Sequence, residues 1–139
     1  PQTPIYVRGV CLQTIQQWLA WGRDQDYAML AVVAKNHRKN ESIRIIELFH
    51  MVTKEDADRP ATYQLLIEGL NNNVLAIRTL SHWHLLGLAP AAAGQIAAIA
   101  QAVEAGEYYR SLKLSRKLGE WEAAGSASQA VVPDQAAAP

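Results

Sequence analysis

Two histidines separated by a single residue are the first candidates for chemistry in this chain. His82 and His84 lie two residues apart, and on a helix that spacing turns their side chains about 200° away from each other. Residues three or four apart are the neighbours on a helix, so this pair is not expected to share a metal ion. The spacing favours His84 as a hydrogen-bonded core residue beside Ser81. His82 is expected to be more exposed, and Trp83 to pack against a neighbouring helical unit.

Glu47 and His50 have the Glu-x-x-His spacing that di-iron carboxylate bundles use. A centre of that kind needs a second copy of the motif and further glutamates from other helices. The sequence contains no second copy. We therefore expect Glu47 and His50 to lie on a helix surface near the interior, without a metal ion.

Cys11 is the single cysteine of the chain, so an intramolecular disulfide is excluded. No base is marked beside it, and a structural thiol in a small-residue position of its helix is expected. The sequence also lacks a Gly-x-Gly-x-x-Gly loop, a phosphate-binding loop and a Gly-x-Ser-x-Gly elbow. The prediction is a non-catalytic protein with no cofactor, no metal and no small-molecule substrate.

Basic side chains on the last predicted helix form the remaining cluster. They are Arg110, Lys113, Arg116 and Lys117. Such a face could contact phosphates. Glu107 and Glu120 can compensate it, however, and a cationic helix end also suits the helix dipole. Thirteen basic residues balance thirteen acidic ones, which weighs against nucleic-acid binding. A solvated face is favoured, and phosphate contact by these four residues is the alternative.

Helical periodicity dominates the elements that would position these residues. Apolar residues make up 50% of the chain and charged residues 19%, as in an ordinary soluble globular protein. Predicted helices cover about 5–21, 25–36, 41–53, 60–70, 74–88, 90–105 and 106–123. Asp58 is expected to cap the helix that has Pro60 in its first turn, and the charged segment before it is expected to be a loop.

The chain divides by composition into a helical part and a tail. Residues 1–123 are predicted to form a helical-repeat domain, with units at about 5–36, 41–70 and 74–104 and a terminal helix at 106–123. Residues 124–139 have no periodic face and are rich in Ala, Ser and Pro, so a flexible tail or linker is expected.

A sequence pattern recurs after 70 residues, which is about twice the period of a two-helix repeat. The stripe Val7, Cys11, Ile15 and Trp18 aligns with Ile77, Ser81, Leu85 and Leu88, and Arg8 aligns with Arg78. An apolar-Arg pair followed by a small residue resembles the inner helix of HEAT and armadillo-type repeats. In that family the small residue permits close helix approach, and the arginine commonly braces a neighbouring turn.

The resemblance implies an all-α fold of about six or seven helices, in antiparallel hairpins stacked as a short right-handed solenoid. It also implies a scaffold or protein–protein interaction module within a larger polypeptide or assembly. Partner contact is expected at exposed aromatic, histidine and arginine side chains. The candidates are Tyr63, His82, Trp83, Tyr108 and Arg110. Nucleic-acid binding by the basic face of the last helix is the alternative.

No uninterrupted apolar run approaches the roughly 20 residues that a membrane-spanning helix needs, so membrane insertion is not expected. The chain begins at Pro1 without a Met or a basic-then-apolar leader, which indicates an excised or processed piece. The cytoplasm is the favoured compartment, and an extracytoplasmic location stays open.

Overall fold

The computed structural model describes residues 5–50 and 52–121, with side chains from residue 9 onward. Every regular element in that part of the chain is helical, so the predicted all-α class is confirmed. The α-helices are α1 Ile5–Leu19, α2 Arg23–Val33, α3 Lys39–Phe49, α4 Lys54–Ala57, α5 Pro60–Gly69, α6 Leu75–Leu88, α7 Ala93–Glu104 and α8, residues 108–121. A 3-10 turn, Pro90–Ala92, precedes α7. The predicted tail, 124–139, lies outside the described residues.

The chain divides into two compact units, one before and one after residue 51. The predicted repeat unit at about 41–70 contains this boundary. In the first unit α1, α2 and α3 pack against one another. Its buried large apolar side chains are Leu12, Leu19, Ile45 and Leu48. Helix α2 buries no residue of its own, so this core is small.

The buried stripe of α1 differs from the predicted one. Gly9, Leu12, Gln16 and Leu19 are buried, whereas Ile15 and Trp18 are only half-buried. The prediction of a structural thiol is wrong, because Cys11 is exposed. Both stripes have the same spacing of three and four residues, so periodicity alone does not choose between them. The face of α1 that packs against α2 and α3 is therefore rotated by about 100° from the predicted face, which is the angle between successive residues of a helix.

A short helix replaces the predicted charged loop before α5. Thr53 caps α4, and its Oγ1 accepts a hydrogen bond of 3.1 Å from the Asp56 backbone N–H. Asp58 follows the end of α4 and does not cap α5. Arg59 is the N-cap residue of α5, and Pro60 lies in the first turn as predicted. The Thr53 cap therefore begins an additional helix inside the predicted loop, while α5 still begins at Pro60.

Helices α5 and α6 approach closely where two small residues meet. A Cβ atom added to Gly69 would lie 2.9 Å from the Ser81 Cβ and closer still to its Oγ. Ser81 is fully buried, and Ile77 on the same face of α6 is also buried. The predicted close packing at Ser81 therefore occurs in the second unit. There the missing side chain of Gly69 makes room for it.

The second unit contains the larger core. Its fully or nearly fully buried apolar side chains include Leu66, Leu70, Ile77, Leu85, Ile96, Ile99 and Leu118. Helix α6 packs against both α5 and α7. On α8 the structure buries Ser111 and Leu118. It leaves Tyr108 and Trp121 exposed.

Candidate functional site

A braced turn connects α5 to α6 and forms one side of the site. The side-chain Oδ1 of Asn72 accepts a 2.8 Å hydrogen bond from the backbone N–H of Val74. From the first turn of α6, Arg78 donates through Nη1 to the backbone carbonyls of Asn72, at 2.8 Å, and Asn73, at 3.1 Å. Charge-assisted hydrogen bonds are roughly twice as strong as neutral ones. The guanidinium therefore holds this turn in one shape.

The turn between α7 and α8 forms the opposite side. Gly106 has φ of 73°, in the left-handed region that glycine enters without steric cost. The backbone N–H of Glu107 donates to the Ala102 carbonyl at 2.9 Å, which closes the end of α7. The chain then reverses and begins α8 at Tyr108.

A hydrogen bond between side chains holds α8 against the turn that connects α5 to α6. Asn71 donates through Nδ2 to the Ser115 Oγ at 2.7 Å, across 44 residues of sequence. Ser115 Oγ in turn donates to the Ser111 carbonyl at 2.8 Å, and Ser111 Oγ donates to the Tyr108 carbonyl at 2.8 Å. The last two bonds lie within α8, so the Asn71–Ser115 bond is the one of the three that joins α8 to the turn between α5 and α6, in addition to the burial of Leu118.

A surface cleft of about 410 Å³ lies between these turns. It is lined by Asn71, Asn72, Asn73, Arg78, Val103, Glu104, Gly106, Tyr108 and Ser111. A smaller recess of about 60 Å³ shares Arg78 and Glu104 with the cleft and is also lined by His82. The two charged residues therefore lie where the cleft and the recess meet.

The cleft presents charges of both signs. Its cation is Arg78 and its anion is Glu104. Neither forms an ion pair with another described residue. In the recess, burial lowers the pKa of His82 below its ordinary value of 6.5, so this imidazole is neutral at neutral pH. The cleft and its recess therefore combine one cation, one anion and a neutral imidazole with the apolar surfaces of Val103 and Tyr108.

The sequence-based candidates do not form one cluster. Tyr108 lines the cleft and is 64% exposed, whereas His82 lines the recess and is half-buried. Arg110 is exposed and pairs with Glu107 at 3.1 Å. Tyr63 and Trp83 are half-buried and do not line the cleft. Two of the five candidates therefore contribute to the cleft or its recess.

Sequence reasoning missed most of the cleft lining. The Asn71–Asn73 triplet is typical of a helix end, and Arg78 aligns with a turn-bracing position, so neither pattern predicts a cleft. Glu104 received no role. The available signals were the two turns, marked by the Asn triplet and by Gly106, since turns that meet in the fold often build a site.

The basic face of α8 is solvent-exposed. Arg110, Lys113, Arg116 and Lys117 are all exposed, as the alternative function requires. The predicted compensation by Glu107 occurs at Arg110. The aromatic ring of Tyr109 is 86% exposed and contacts Tyr108 edge to face, with ring centroids 5.8 Å apart.

The remaining chemical candidates lie elsewhere. His50 pairs with Asp26 through Nε2 and Oδ1 at 2.9 Å, and Glu47 pairs with Arg44 at 3.3 Å. His84 is buried, as predicted for a core histidine. Within the part of the chain that the structure describes, no group of three or more His, Cys, Asp or Glu residues could hold a metal ion.

No single helix among the described residues is long and apolar enough to cross a membrane. Helix α6 and the segment Pro90–Glu104 reach the required length and composition only together, and they are bent by 120° at the break between them.

Comparison of the chain with protein-family models, curated proteins and solved structures gave no match. The fold by itself defines an all-α protein with a close approach between α5 and α6 and a surface cleft. Any assignment to a repeat family depends on the residues themselves.

Proposed function

We propose that this chain is a non-catalytic helical-repeat module of the HEAT type, and that it binds a protein partner through the cleft between the Asn71–Asn73 turn and the start of α8. One observation carries the proposal. The α5–α6 turn, which Arg78 braces, and the α7–α8 turn at Gly106 meet at one open cleft lined by Arg78, Glu104 and Tyr108. Binding sites are commonly loops positioned by a rigid scaffold.

Two local features support the repeat assignment. Arg78 braces a turn through two backbone carbonyls, and Ser81 lies at a close helix approach. Both are the roles that the HEAT and armadillo resemblance implies for these positions. In that interpretation the second unit holds an antiparallel hairpin of α5 and α6, stacked in a short solenoid with the other helices.

The chemistry of the cleft favours a protein partner. Tyrosine provides a large contact area at little cost in conformational entropy, and aromatic and arginine residues dominate binding hot spots. Tyr108 satisfies this description because its side chain is 64% exposed at the cleft wall. The other candidates, Tyr63, His82, Trp83 and Arg110, would contribute at the periphery of the contact.

A comparison of two tyrosine variants tests this function. The full chain and its Tyr108→Ala and Tyr27→Ala variants would be used in affinity capture from the native lysate, with and without nuclease. Tyr27 is a matched control because it is also largely exposed, at 67%, but lies in the first unit. We expect a specific protein to be captured by the wild type and by Tyr27→Ala, and to be lost with Tyr108→Ala. Equal capture by all three would contradict a role for the cleft.

Nucleic-acid binding is the second candidate, because all four cations of the α8 face are exposed. Aromatic rings beside cations are the usual means of binding single strands, and Tyr109 provides such a ring. Fluorescence anisotropy with a labelled 20-nucleotide single strand tests the idea. Binding that weakens steeply with salt and is lost in a Lys113→Glu/Lys117→Glu variant would support it. Weak, salt-insensitive binding would exclude it.

A further inference from the structure

We propose that the cleft recognises an extended peptide segment that carries charges of both signs, with a basic side chain directed to Glu104 and a carboxylate directed to Arg78. This inference rests on the proposed function, because it names the part of a protein partner that the cleft would bind. It depends on the unused donors and acceptors of the cleft, on their balance of charge, and on the rigidity of the walls.

Arg78 retains donors that no described residue uses. A guanidinium has five N–H groups, and the two bonds that brace the turn both leave from Nη1. The N–H groups of Nε and of the second terminal nitrogen form no hydrogen bond or ion pair with the described residues. Since Arg78 lines both the cleft and the recess, a ligand at their junction can accept from these donors while the brace stays intact.

Glu104 offers the complementary group. Its side chain is exposed at the end of α7 and lines both cavities. Its carboxylate forms no ion pair among the described residues. A lysine or arginine side chain of a partner can therefore pair with Glu104 without first displacing an existing partner.

The balance of charge argues against a purely anionic or purely cationic ligand. Arg78 would attract a phosphate group, but Glu104 at the same junction would repel it, and His82 adds no positive charge while it is neutral. A peptide main chain alternates donors and acceptors. Asn73, whose exposed amide carries both kinds of group, matches that alternation.

The walls of the cleft are held before any ligand arrives. Arg78 fixes the Asn72 and Asn73 carbonyls, and the bond from Asn71 to Ser115 fixes α8. A preorganised site loses less conformational entropy on binding. An extended segment can therefore bind with its charged side chains at the junction and an apolar or aromatic side chain against Tyr108.

A peptide-display experiment with one charge reversal tests this inference. The immobilised full chain would be used to select from a random library of linear 12-residue peptides, and the selected peptides would be synthesised and titrated. The test variant is Glu104→Lys. The control is Glu120→Lys, which makes the same change of charge twelve residues beyond Tyr108, about 18 Å along α8 and outside the cleft lining. Circular dichroism would establish that both variants fold, as expected for exposed positions.

We expect the selected peptides to share a basic residue with an acidic residue a few positions away. Glu104→Lys should weaken their binding by about tenfold or more, and Glu120→Lys by less than about twofold; a tenfold loss corresponds to about 1.4 kcal/mol. Peptides that bind without a basic residue or without an acidic one, or that are affected equally by both variants, would overturn the inference, and the proposed function would then depend on affinity capture alone. If no peptide is selected, the inference also fails. If affinity capture in addition yields no protein dependent on Tyr108, the proposed function fails with it.

Discussion

At the scale of single residues, the stability of the second unit depends on a few positions. At some of them a larger side chain does not fit, and at others burial changes the properties of the side chain. Gly69 faces Ser81 at the closest approach of α5 and α6. His82 is half-buried at the recess, and this burial lowers the pKa of its imidazole. Each position gives a substitution experiment with a clear expected sign.

Gly69→Ala should destabilise the protein. The added methyl group would overlap the Ser81 side chain, and overpacking of this kind typically costs about 1–3 kcal/mol. We expect the free energy of unfolding, measured by urea denaturation followed at 222 nm, to fall by about 2 kcal/mol.

The matched control is Gly87→Ala on α6. A Cβ at Gly87 meets no atom within 4 Å, and alanine is favoured over glycine inside a helix by about 1 kcal/mol. This variant should be as stable as the wild type or more so. Equal effects of the two substitutions would show that α5 and α6 are not as close at Gly69 as described.

The stability of the protein should depend on His82 below neutral pH. Burial lowers the pKa of this imidazole in the folded state, so the unfolded state binds its proton first as the pH falls. The contribution of His82 to stability is therefore complete well above pH 6.5, the ordinary value, and decreases as the pH falls through and below it.

Denaturant titrations of the wild type and of His82→Gln between pH 5 and pH 8 would measure this effect. The loss of stability toward low pH should be smaller in the variant than in the wild type. A larger loss in the variant would mean that the protonated imidazole is stabilised in the fold, contrary to its burial.

At the scale of helices and turns, the elements themselves were largely predictable and the register of their faces was not. Helices α5 and α6 have apolar residues three and four apart, Pro60 at the start of α5 and an Asn triplet between them, so their predicted bounds agree with the structure to within about one residue. In α1 two stripes fit the same period, and only packing with α2 and α3 selects Leu12 over Cys11.

The cleft was not predictable from local patterns. It depends on contact between the Asn71 turn and Ser115 on α8, 44 residues away, and such a pairing leaves no periodic signal in the sequence. Tyr108 is a candidate contact residue from the sequence and lines the cleft, whereas Glu104 has no distinguishing neighbour in the chain. Long-range geometry therefore supplied most of the candidate site.

The turn between α7 and α8 gives a prediction at this scale. Gly106→Ala places a Cβ on a residue with φ of 73°, and a left-handed conformation costs an ordinary residue about 1–2 kcal/mol. We expect a loss of stability of about 1 kcal/mol, measured by thermal unfolding, and weaker binding of any ligand that contacts Tyr108.

Gly119→Ala on α8 is the control for this turn. Gly119 is helical, and a Cβ there meets nothing within 4 Å, so the substitution should be neutral or slightly stabilising. If Gly106→Ala is equally well tolerated, the turn can adopt a right-handed conformation and does not fix the start of α8.

At the scale of the whole molecule, the two compact units have unequal cores. Among its described residues, the first unit buries the large apolar side chains of Leu12, Leu19, Ile45 and Leu48 and the polar Gln16 and Ser42, and its helix α2 buries nothing. Its described polar link between helices is the half-exposed pair of His50 and Asp26. The second unit buries apolar residues from α5, α6, α7 and α8. The stability of the protein should therefore reside mainly in the second unit.

Separate expression of residues 1–51 and 52–139 tests this distribution. A domain of about 60 residues buries only about 60% of the surface that its unfolded chain exposes and is marginally stable, and isolated helices of 11–15 residues, the lengths of α1, α2 and α3, are marginal in water. We expect the 52–139 fragment to unfold cooperatively in urea and the 1–51 fragment to show little helical signal at 222 nm. Because the cleft lies within the second unit, the 52–139 fragment should also bind any peptide selected by the full chain.

A cooperative transition in the 1–51 fragment alone would show that its four buried side chains suffice, and loss of folding in 52–139 would show that the two units stabilise each other.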